Sequence, residues 1–266
     1  YSRYTGRQVN NKIFLPMVYL SIVWALSIHT VTAFLLAVNP ARPMWFHSMM
    51  PIRFITTAFA AGPALIIIAF LIIRNNTKMW IEDSAIKLLT TIVIWCLGLA
   101  IFLTLSEIVI ELYARTEHAN SLYYLMFGLH GLTALVPWFW SSVVLMVGAF
   151  ALFMTPKFRN DMKLLPIPCA MAFVGIWIEK GMGLIVPGFI PSPIGEVTEY
   201  YPTFVEWLMT AGIWAFGFFI LTILLKGAIG ILLGEIKFGA AAAADKALAL
   251  EPKDAANDKV FLVMGP

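Results

Sequence analysis

The sequence predicts an all-α integral membrane protein, a polytopic bundle of transmembrane helices. Of its 266 residues, 61% are hydrophobic and 12% are charged, whereas about a quarter of the residues of a soluble domain are charged. The mean hydropathy is +0.85. The apolar residues also fall in segments long enough to cross a hydrocarbon core of about 30 Å as helices. Transmembrane strands would alternate polar and apolar residues, and the sequence does not show that alternation.

Six segments have the length and apolar character of transmembrane helices. They span residues 13–38, 52–73, 86–113, 122–154, 164–187 and 203–233. Together they predict a transmembrane domain over residues 1–239. The Ala-rich, charged residues 240–266 are predicted to be a cytoplasmic tail, because this composition buries too little apolar surface to fold alone. The chain opens at Tyr1 without an initiator Met or a signal-peptide pattern, so we expect it to continue a longer sequence.

Charge in the connecting segments predicts the orientation of these helices. Basic residues gather in alternate connections: Arg3, Arg7 and Lys12 before the first helix, Arg74, Lys78 and Lys87 around the second loop, Lys157, Arg159 and Lys163 in the fourth, and Lys237 after the sixth. The other loops hold only Arg42, Arg53 and Arg115. By the positive-inside rule, both visible ends are predicted to be cytoplasmic in the cell's inner membrane. No basic patch interleaved with aromatics suggests nucleic-acid binding.

Ionisable side chains inside the predicted helices are the candidate functional residues, because a charge within the bilayer is costly. At a rise of about 1.5 Å per residue, such side chains lie in the outer half of the membrane: His29, Glu107, His130, Glu179, Lys180 and Glu206. We interpret Glu107, Glu179, Lys180 and Glu206 as candidate catalytic groups that exchange protons. The alternatives are structural ion pairs for the first three and a solvated helix start for Glu206.

Glu179 and Lys180 are neighbours in an otherwise apolar run, "GIWIEKGMGLIVPGF". Adjacent positions on a helix diverge by about 100°, so we expect the two side chains not to pair with each other. We predict instead that Lys180 pairs with Glu107 or Glu206 on another helix. Glu179 is then predicted to face the bundle interior as a polar, proton-exchanging group.

His29 and the first outer loop are candidate cofactor-binding elements. In "SIVWALSIHTVTAF", His29 suits a hydrogen bond to a quinone carbonyl, a haem ligand or a satisfied polar residue. The loop "NPARPMWFHSMMPIRF", with Arg42 and His47, predicts an ordered lid that closes a pocket or docks a peripheral subunit. An interfacial aromatic belt of Trp45 and Phe46 is the alternative.

Metal ligands do not form a recognisable set in the sequence. Cys96 and Cys169 are each isolated, and the four His are scattered. Iron–sulfur and zinc sites need paired Cys or His spacings that are missing here. We therefore expect no haem and no metal in this chain, and we expect electrons to pass through a partner.

Three stretches of the sequence resemble a known family. They are "SIHTVTAFLLAVNPARPMWFHSMMPIRFITTAFAAGPALI", "GIWIEKGMGLIVPGFIPSPIGEVTEYYPTFVEW" and "LLGEIKFG". These are similar to the membrane subunits of the polysulfide reductase, or NrfD/PsrC, family, over about residues 3–239. Within it, the nearest resemblance is to quinone-interacting subunits of the membrane complex associated with dissimilatory sulfite reductase.

The resemblance implies two four-helix bundles, the first closed by the first two visible helices and the second formed by the other four. It implies electron exchange between menaquinone or another quinone and an outer-face iron–sulfur protein, linked to sulfur-compound metabolism. A multihaem cytochrome c and further membrane and cytoplasmic subunits are the other implied partners. The implied quinone site carries over to His29, Arg42 and His47. Some relatives have an acid where this chain has apolar residues 34–36, so a proton pathway through that acid is not expected.

Three other interpretations stay open: a haem-binding protein like cytochrome b, a secondary transporter and a purely structural anchor. His29 and His130 lie at similar predicted depth and would permit one haem, but the sequence has no further such pair. A transporter should show interrupted helices in repeated halves, and the symmetry here is slight. An anchor would not need so many buried charges.

The charge distribution predicts that position 159 is cytoplasmic and position 196 is on the outer side. We expect Glu196→Cys, and not Arg159→Cys, to react with a membrane-impermeant thiol reagent added to intact cells, because the positive-inside rule places the Lys/Arg-rich loops in the cytoplasm. The unsubstituted chain is the control. Labelling of position 159 alone would show that the orientation is inverted.

Overall fold

The computed structural model describes residues 11–42, 44–114, 119–190, 192, 195–199, 201–233, 235 and 260–262. Within them the elements are α1 (Asn11–Ala37), α2 (Met50–Asn76), β1 (Met79–Ile81), α3 (Asp83–Ala114), α4 (Ala119–Phe127), α5 (Val136–Met154), α6 (Pro156–Asn160), α7 (Pro166–Lys180), α8 (Phe204–Leu232) and β2 (Val260–Leu262). A π-helical turn, Gly181–Ile185, and a 3₁₀ turn, Pro187–Phe189, directly follow α7.

Six stretches among the described residues are long and apolar enough to cross a membrane. They are Lys12–Ala37, Met50–Asn76, Asp83–Tyr113, Val136–Met154, Pro166–Phe189 and Phe204–Leu232. Large apolar side chains cover much of the exposed surface of these stretches, as a lipid environment requires. The predicted all-α polytopic membrane fold is therefore confirmed.

The segment predicted as one helix over residues 122–154 is two helices, α4 and α5. Three residues between them have positive φ: Gly128 (84°), His130 (53°) and Gly131 (82°). Leu129 and Leu132 exchange two backbone hydrogen bonds, of 3.1 and 2.9 Å, around a tight turn that needs positive φ at both central residues. Pro137 then lies in the first turn of α5, where a missing N–H costs little. The sequence-based prediction of a single helix did not take these helix-breaking glycines and Pro137 into account, because the whole segment is apolar.

Glu199 fastens this turn to the segment that follows α7. Its Oε1 accepts a 2.7 Å hydrogen bond from the Ala134 backbone N–H and a 3.2 Å bond from the Tyr124 hydroxyl, and its Oε2 accepts from Tyr201 at 2.8 Å. These donors, the backbone N–H first, lower the pKa of Glu199. The bonds therefore stabilise the fold above the unfolded-state pKa, and this contribution is lost as pH falls through the folded-state pKa.

The chain divides into two compact units, and the larger comprises Ile22–Ile72 and Asp83–Tyr201. Its buried side chains recur every three or four residues, as on the inner face of a helix: Val93, Leu97 and Ala100 on α3, Met146, Ala149 and Phe153 on α5, and Cys169, Ala172 and Ile176 on α7. Small residues let α5 and α7 approach closely, since a Cβ on Gly175 would come within 3.0 Å of Met146.

The smaller unit comprises Tyr1–Ser21, Ile73–Glu82 and Pro202–Pro266. In it, β1 pairs in parallel with β2, Met79 opposite Val260. Of the predicted tail, residues 240–266, the structure describes only this strand. Thr203 and Glu206 form a reciprocal capping box at the start of α8, which satisfies backbone N–H groups that a helix start leaves without partners.

Gly128→Ala is expected to destabilise the protein more than Gly131→Ala. Both glycines have positive φ, which costs an L-residue about 1–2 kcal/mol. A Cβ on Gly128 would also come within 2.6 Å of the Leu132 carbonyl oxygen, whereas one on Gly131 meets nothing within 4 Å. The melting temperatures of the two purified variants check this, and equal losses would show that the turn is not built as described.

Candidate functional site

A buried ionic cluster lies where α2 begins and α7 ends. The Arg53 guanidinium donates one hydrogen bond to Glu107 of α3 and another to Glu179 of α7. Arg53 is 4% exposed and Glu179 is 5% exposed, so water reaches the two charges poorly. A fork of N–H donors on a planar cation suits two carboxylates at once. One side chain thus joins three membrane-spanning helices.

The local positions of these residues are unfavourable without their partners. Arg53 lies in the first turn of α2, where the helix dipole disfavours a cation. Removing the charge of Arg53 or of Glu179 from water is costly as well. The mutual hydrogen bonds offset both costs, so each side chain is kept in place by the other.

His47 and Lys180 extend the cluster at its two ends. Nε2 of His47 lies 3.2 Å from Oε1 of Glu107, and Nζ of Lys180 lies 3.3 Å from Oε2 of Glu179. The Lys180 ammonium also sits 4.6 Å from the centroid of the Phe54 ring, within range of a cation–π interaction. Arg53 and Lys180 together balance the two carboxylates, and protonation of His47 would add a positive charge.

Lys180 does not have the partner that the sequence predicted. Its ion pair is with the adjacent Glu179, and Glu107 has Arg53 as its hydrogen-bonded cation. The 100° divergence of neighbouring positions applies to the Cβ direction, but both side chains are long enough to bend back toward each other. The expectation that Glu179 and Lys180 do not pair is therefore wrong. Glu179 does face the interior, as predicted.

The loop between α1 and α2 is fixed to the turns that follow α7. Trp45 is 5% exposed, and its indole N–H donates a 2.9 Å hydrogen bond to the Leu184 carbonyl in the π-helical turn. Arg42 donates a hydrogen bond to the Phe189 backbone carbonyl at 3.1 Å, and its Cζ lies 5.1 Å from the centroid of the Phe189 ring. A Cβ on Gly188 would overlap the Trp45 indole. The described residues of this loop, which we call the lid, therefore pack against this end of α7.

The other predicted site residues take different positions. Nδ1 of His29, on α1, lies 3.0 Å from the Ala25 carbonyl oxygen of the same helix, and its side chain is exposed. Glu206 accepts hydrogen bonds from the Thr203 backbone N–H and hydroxyl, at 2.6 and 2.9 Å, as a capping residue of α8. Of the seven predicted residues, Glu107, Glu179, Lys180 and His47 are in the cluster, and Arg42 is in the lid that carries His47.

Arg53 and Trp45 are functional candidates that the sequence reasoning missed. Arg53 was counted as a loop charge, although it stands only three residues into α2. A signal was present, because two buried carboxylates and one lysine leave a carboxylate without a cation. The alternative of an interfacial belt places Trp45 and Phe46 together, but Trp45 is buried at 5% exposure whereas Phe46 is 49% exposed.

The described residues contain no group of three or more His, Cys, Asp or Glu side chains that could hold a metal ion. The arrangement of the cluster offers acid–base chemistry and hydrogen bonding. Both kinds of chemistry require buried polar atoms that are not already fully hydrogen-bonded. Within the described structure, four buried atoms have no hydrogen-bond partner: Nε2 of His47, Nε of Arg53, Oε2 of Glu179 and Nζ of Lys180.

The fold and cluster define a class, that of multi-pass helical membrane proteins with ionisable groups buried between their helices. The model of the family described as "Polysulphide reductase, NrfD" matches residues 7–191. This match covers more than half of the chain, and the chain belongs to that family. All members of the ionic cluster fall within the matched range, while Glu206 lies outside it.

A curated relative is similar at low identity. A selenate reductase subunit from Mesobacillus selenatarsenatis is 22% identical over 218 residues, which are 78% of this chain and 49% of the relative. The chain thus spans about half the length of that relative.

Arg53→Met is expected to lower the free energy of unfolding by about 3–5 kcal/mol, because it leaves two buried carboxylates without their guanidinium. The double change Arg53→Met with Glu107→Gln should recover much of this loss, because it keeps the cluster neutral with Glu179 still paired to Lys180. Denaturation of the purified protein in detergent measures both.

Arg74→Met is the matched control, at the other end of α2. Arg74 stacks on Trp80 with its Cζ 4.2 Å from the ring centroid, an interaction of about 1 kcal/mol. Equal losses for Arg53→Met and Arg74→Met would show that the cluster does not stabilise the bundle.

Proposed function

We propose that this chain is the quinone-interacting membrane subunit of an oxidoreductase complex. It exchanges electrons between a membrane quinone, such as menaquinone, and an iron–sulfur subunit on the predicted outer face. Its matched family and its similarity to a selenate reductase subunit support a membrane protein that works with other reductase subunits. The chain itself is proposed to carry no redox metal.

The contact between His47 and Glu107 is the observation that carries the proposal. His47 belongs to the lid, and Glu107 belongs to the buried cluster, 3.2 Å away. An imidazole has two ring nitrogens, so it can accept a proton from a ligand at one and release a proton to a carboxylate from the other. The lid is thereby connected to groups that can store and move protons.

The lid also has the hydrogen-bonding capacity that a quinone headgroup needs. Nε2 of His47 faces Oε1 of Glu107 at 3.2 Å, so the other ring nitrogen, Nδ1, is the atom proposed to bond a ring oxygen. Arg42 is held at the neighbouring turn by Phe189, and its guanidinium has further N–H donors. Trp45, Met50 and Leu184 form a small buried apolar cluster beside them. These residues supply the apolar surface and the hydrogen-bond donors that a quinone ring with polar oxygens requires.

His47 and Glu107 then have separate roles in the reaction. When bound, the quinol supplies the redox chemistry, losing two electrons and two protons, and its electrons pass to the iron–sulfur partner. His47 takes the two protons one after the other at Nδ1, and each time Nε2 releases a proton to Oε1 of Glu107, 3.2 Å away, which passes it on before the next transfer. Arg53 orients that carboxylate and keeps its charge compensated. In the reverse direction the same side chains give protons back.

The finer assignment follows the resemblance of three stretches to DsrP, the membrane protein associated with dissimilatory sulfite reductase. We propose a place in sulfur-compound metabolism, with a multihaem cytochrome c and further membrane and cytoplasmic subunits as partners. The membrane is the cell's inner membrane, and both visible ends are cytoplasmic. His29 is proposed to border the quinone site from α1. Glu206, a capping residue, is left out of the proton path.

His47→Asn is expected to lower quinol-linked turnover by about 100-fold, because general acid–base catalysis by one side chain contributes at least that much. Turnover is measured in the purified complex with a menaquinol analogue and an artificial acceptor, across a range of pH.

His130→Asn is the matched control. His130 is exposed and has positive φ, which Asn tolerates, so this variant should keep full turnover. Unchanged turnover in His47→Asn would refute the proposed role of the lid. A b-type haem in the complex that disappears with His29→Asn would replace the proposal by the cytochrome b-like alternative.

A further inference from the structure

A cavity of about 460 Å³ lies in the smaller unit, where the last turns of α2 and α8 come together. Its lining includes Asn75, Thr77, Lys78, Ile229, Leu233 and Glu235. The volume falls within the range of about 300–1,000 Å³ that is usual for small-ligand pockets. The cavity is distinct from the ionic cluster and the lid, which belong to the larger unit.

The cavity lies at the level where a membrane meets water. Two membrane-spanning stretches end beside it, at Asn76 and at Leu232. In the same unit, the Arg74 guanidinium stacks on Trp80 with its Cζ 4.2 Å from the ring centroid. Aromatic residues of this kind are enriched at membrane–water interfaces. The molecules closest to such a cavity are therefore membrane lipids, at the level of their headgroups.

One cation and one anion line the cavity without pairing to each other. They are Lys78 and Glu235, and neither has an ion pair among the described residues. The C-termini of α2 and α8 also end here, and the partial negative charge of a helix C-terminus favours a bound cation. A ligand that matches this arrangement carries an anionic group for Lys78 and a cationic group for Glu235.

The remaining lining residues differ in what they can offer to a ligand. The Thr77 hydroxyl donates to the Ile73 carbonyl at 2.7 Å, so its donor is already used. The Asn75 side chain makes no hydrogen bond within the described structure, and an amide nitrogen has two N–H donors. Ile229 and Leu233 add apolar surface. The cavity thus combines donors for an anion with a surface for hydrocarbon.

We propose that this cavity binds the headgroup of a phospholipid that carries a primary ammonium, as phosphatidylethanolamine does. The lipid phosphate accepts hydrogen bonds from Lys78 and Asn75, and the ammonium donates to the Glu235 carboxylate. The acyl chains start on Ile229 and Leu233 and continue along the exposed apolar surface of α8. This inference does not depend on the proposed quinone chemistry.

A headgroup with a primary ammonium matches the cavity better than other phosphates do. Free phosphate, or an anionic phospholipid such as phosphatidylglycerol, would leave Glu235 without a cation and bring a second negative charge close to it. The trimethylammonium of phosphatidylcholine has no N–H group to donate to the carboxylate. These headgroups share the phosphate and differ in one group, so competition experiments can distinguish them.

Competition photolabelling of the purified complex in detergent tests the proposal. The probe is a phosphatidylethanolamine with a diazirine in one acyl chain near the glycerol, and mass spectrometry identifies the labelled peptides. We expect saturable labelling of residues 75–78 and 229–235. Unlabelled phosphatidylethanolamine should displace the probe at about a tenth of the concentration that phosphatidylcholine or phosphatidylglycerol needs, because it alone makes hydrogen bonds to both charged side chains.

Three results would overturn the proposal. Equal competition by phosphatidylethanolamine and phosphatidylcholine would mean that the ammonium is not recognised. Stronger competition by phosphatidylglycerol would mean that the cavity selects negative charge alone. Displacement of the probe by inorganic phosphate would mean that the cavity is a site for free phosphate and does not need a lipid.

Glu235→Gln separates recognition of the ammonium from general affinity for phospholipids. This variant should still be labelled, but its preference for phosphatidylethanolamine should fall from about tenfold to about twofold or less, because the carboxylate supplies the charged hydrogen bond. Lys78→Gln should instead weaken binding of all three phospholipids, since all carry the phosphate. Glu82→Gln is the control, an exposed acid of the same unit outside the cavity lining. An unchanged preference in Glu235→Gln would show that the proposal is wrong.

Discussion

The structure depends on one constraint: a guanidinium buried between membrane helices must have its charge compensated by carboxylates in direct contact with it. Arg53 meets it with Glu107 and Glu179, from two different helices. A buried charge that loses its partner is far more costly than a surface one, so the start of α2, the last third of α3 and the end of α7 are tied to one another. The same arrangement collects acid–base groups where little water can reach them.

The connection from this cluster to the lid depends on how α7 ends. The π-helical turn after Lys180 interrupts the regular hydrogen-bond pattern, with the Val186 N–H bonded to the Gly181 carbonyl at 3.1 Å. The carbonyl of Leu184 is then free to accept from Trp45. Turns of this kind are frequent at functional sites. Trp45 thereby holds the lid, and the lid brings His47 to Glu107.

Much of the fold was predictable from the sequence, but the pairing of charges was not. Length and hydropathy suffice for six membrane-spanning helices, and the cost of intramembrane charge pointed to Glu107, Glu179 and Lys180. The break between α4 and α5 was missed although Gly128 and Gly131 flank it, because hydropathy alone does not register turn chemistry. The pairing of Arg53 depends on which helices become neighbours, and helical periodicity carries no information on that.

Solid-state NMR distance measurement between guanidinium nitrogens and carboxyl carbons tests the central claim most directly. In the complex with ¹⁵N-labelled Arg and ¹³C-carboxyl-labelled Glu, the Arg53 nitrogens should couple to the carboxyl carbons of two Glu residues. Such coupling is expected when the hydrogen-bonded nitrogen and oxygen atoms are about 2.8 Å apart. One contact should disappear with Glu107→Gln and the other with Glu179→Gln when the Gln is unlabelled. A guanidinium coupled to neither carboxyl would contradict the account, since α2, α3 and α7 would then not be joined through Arg53.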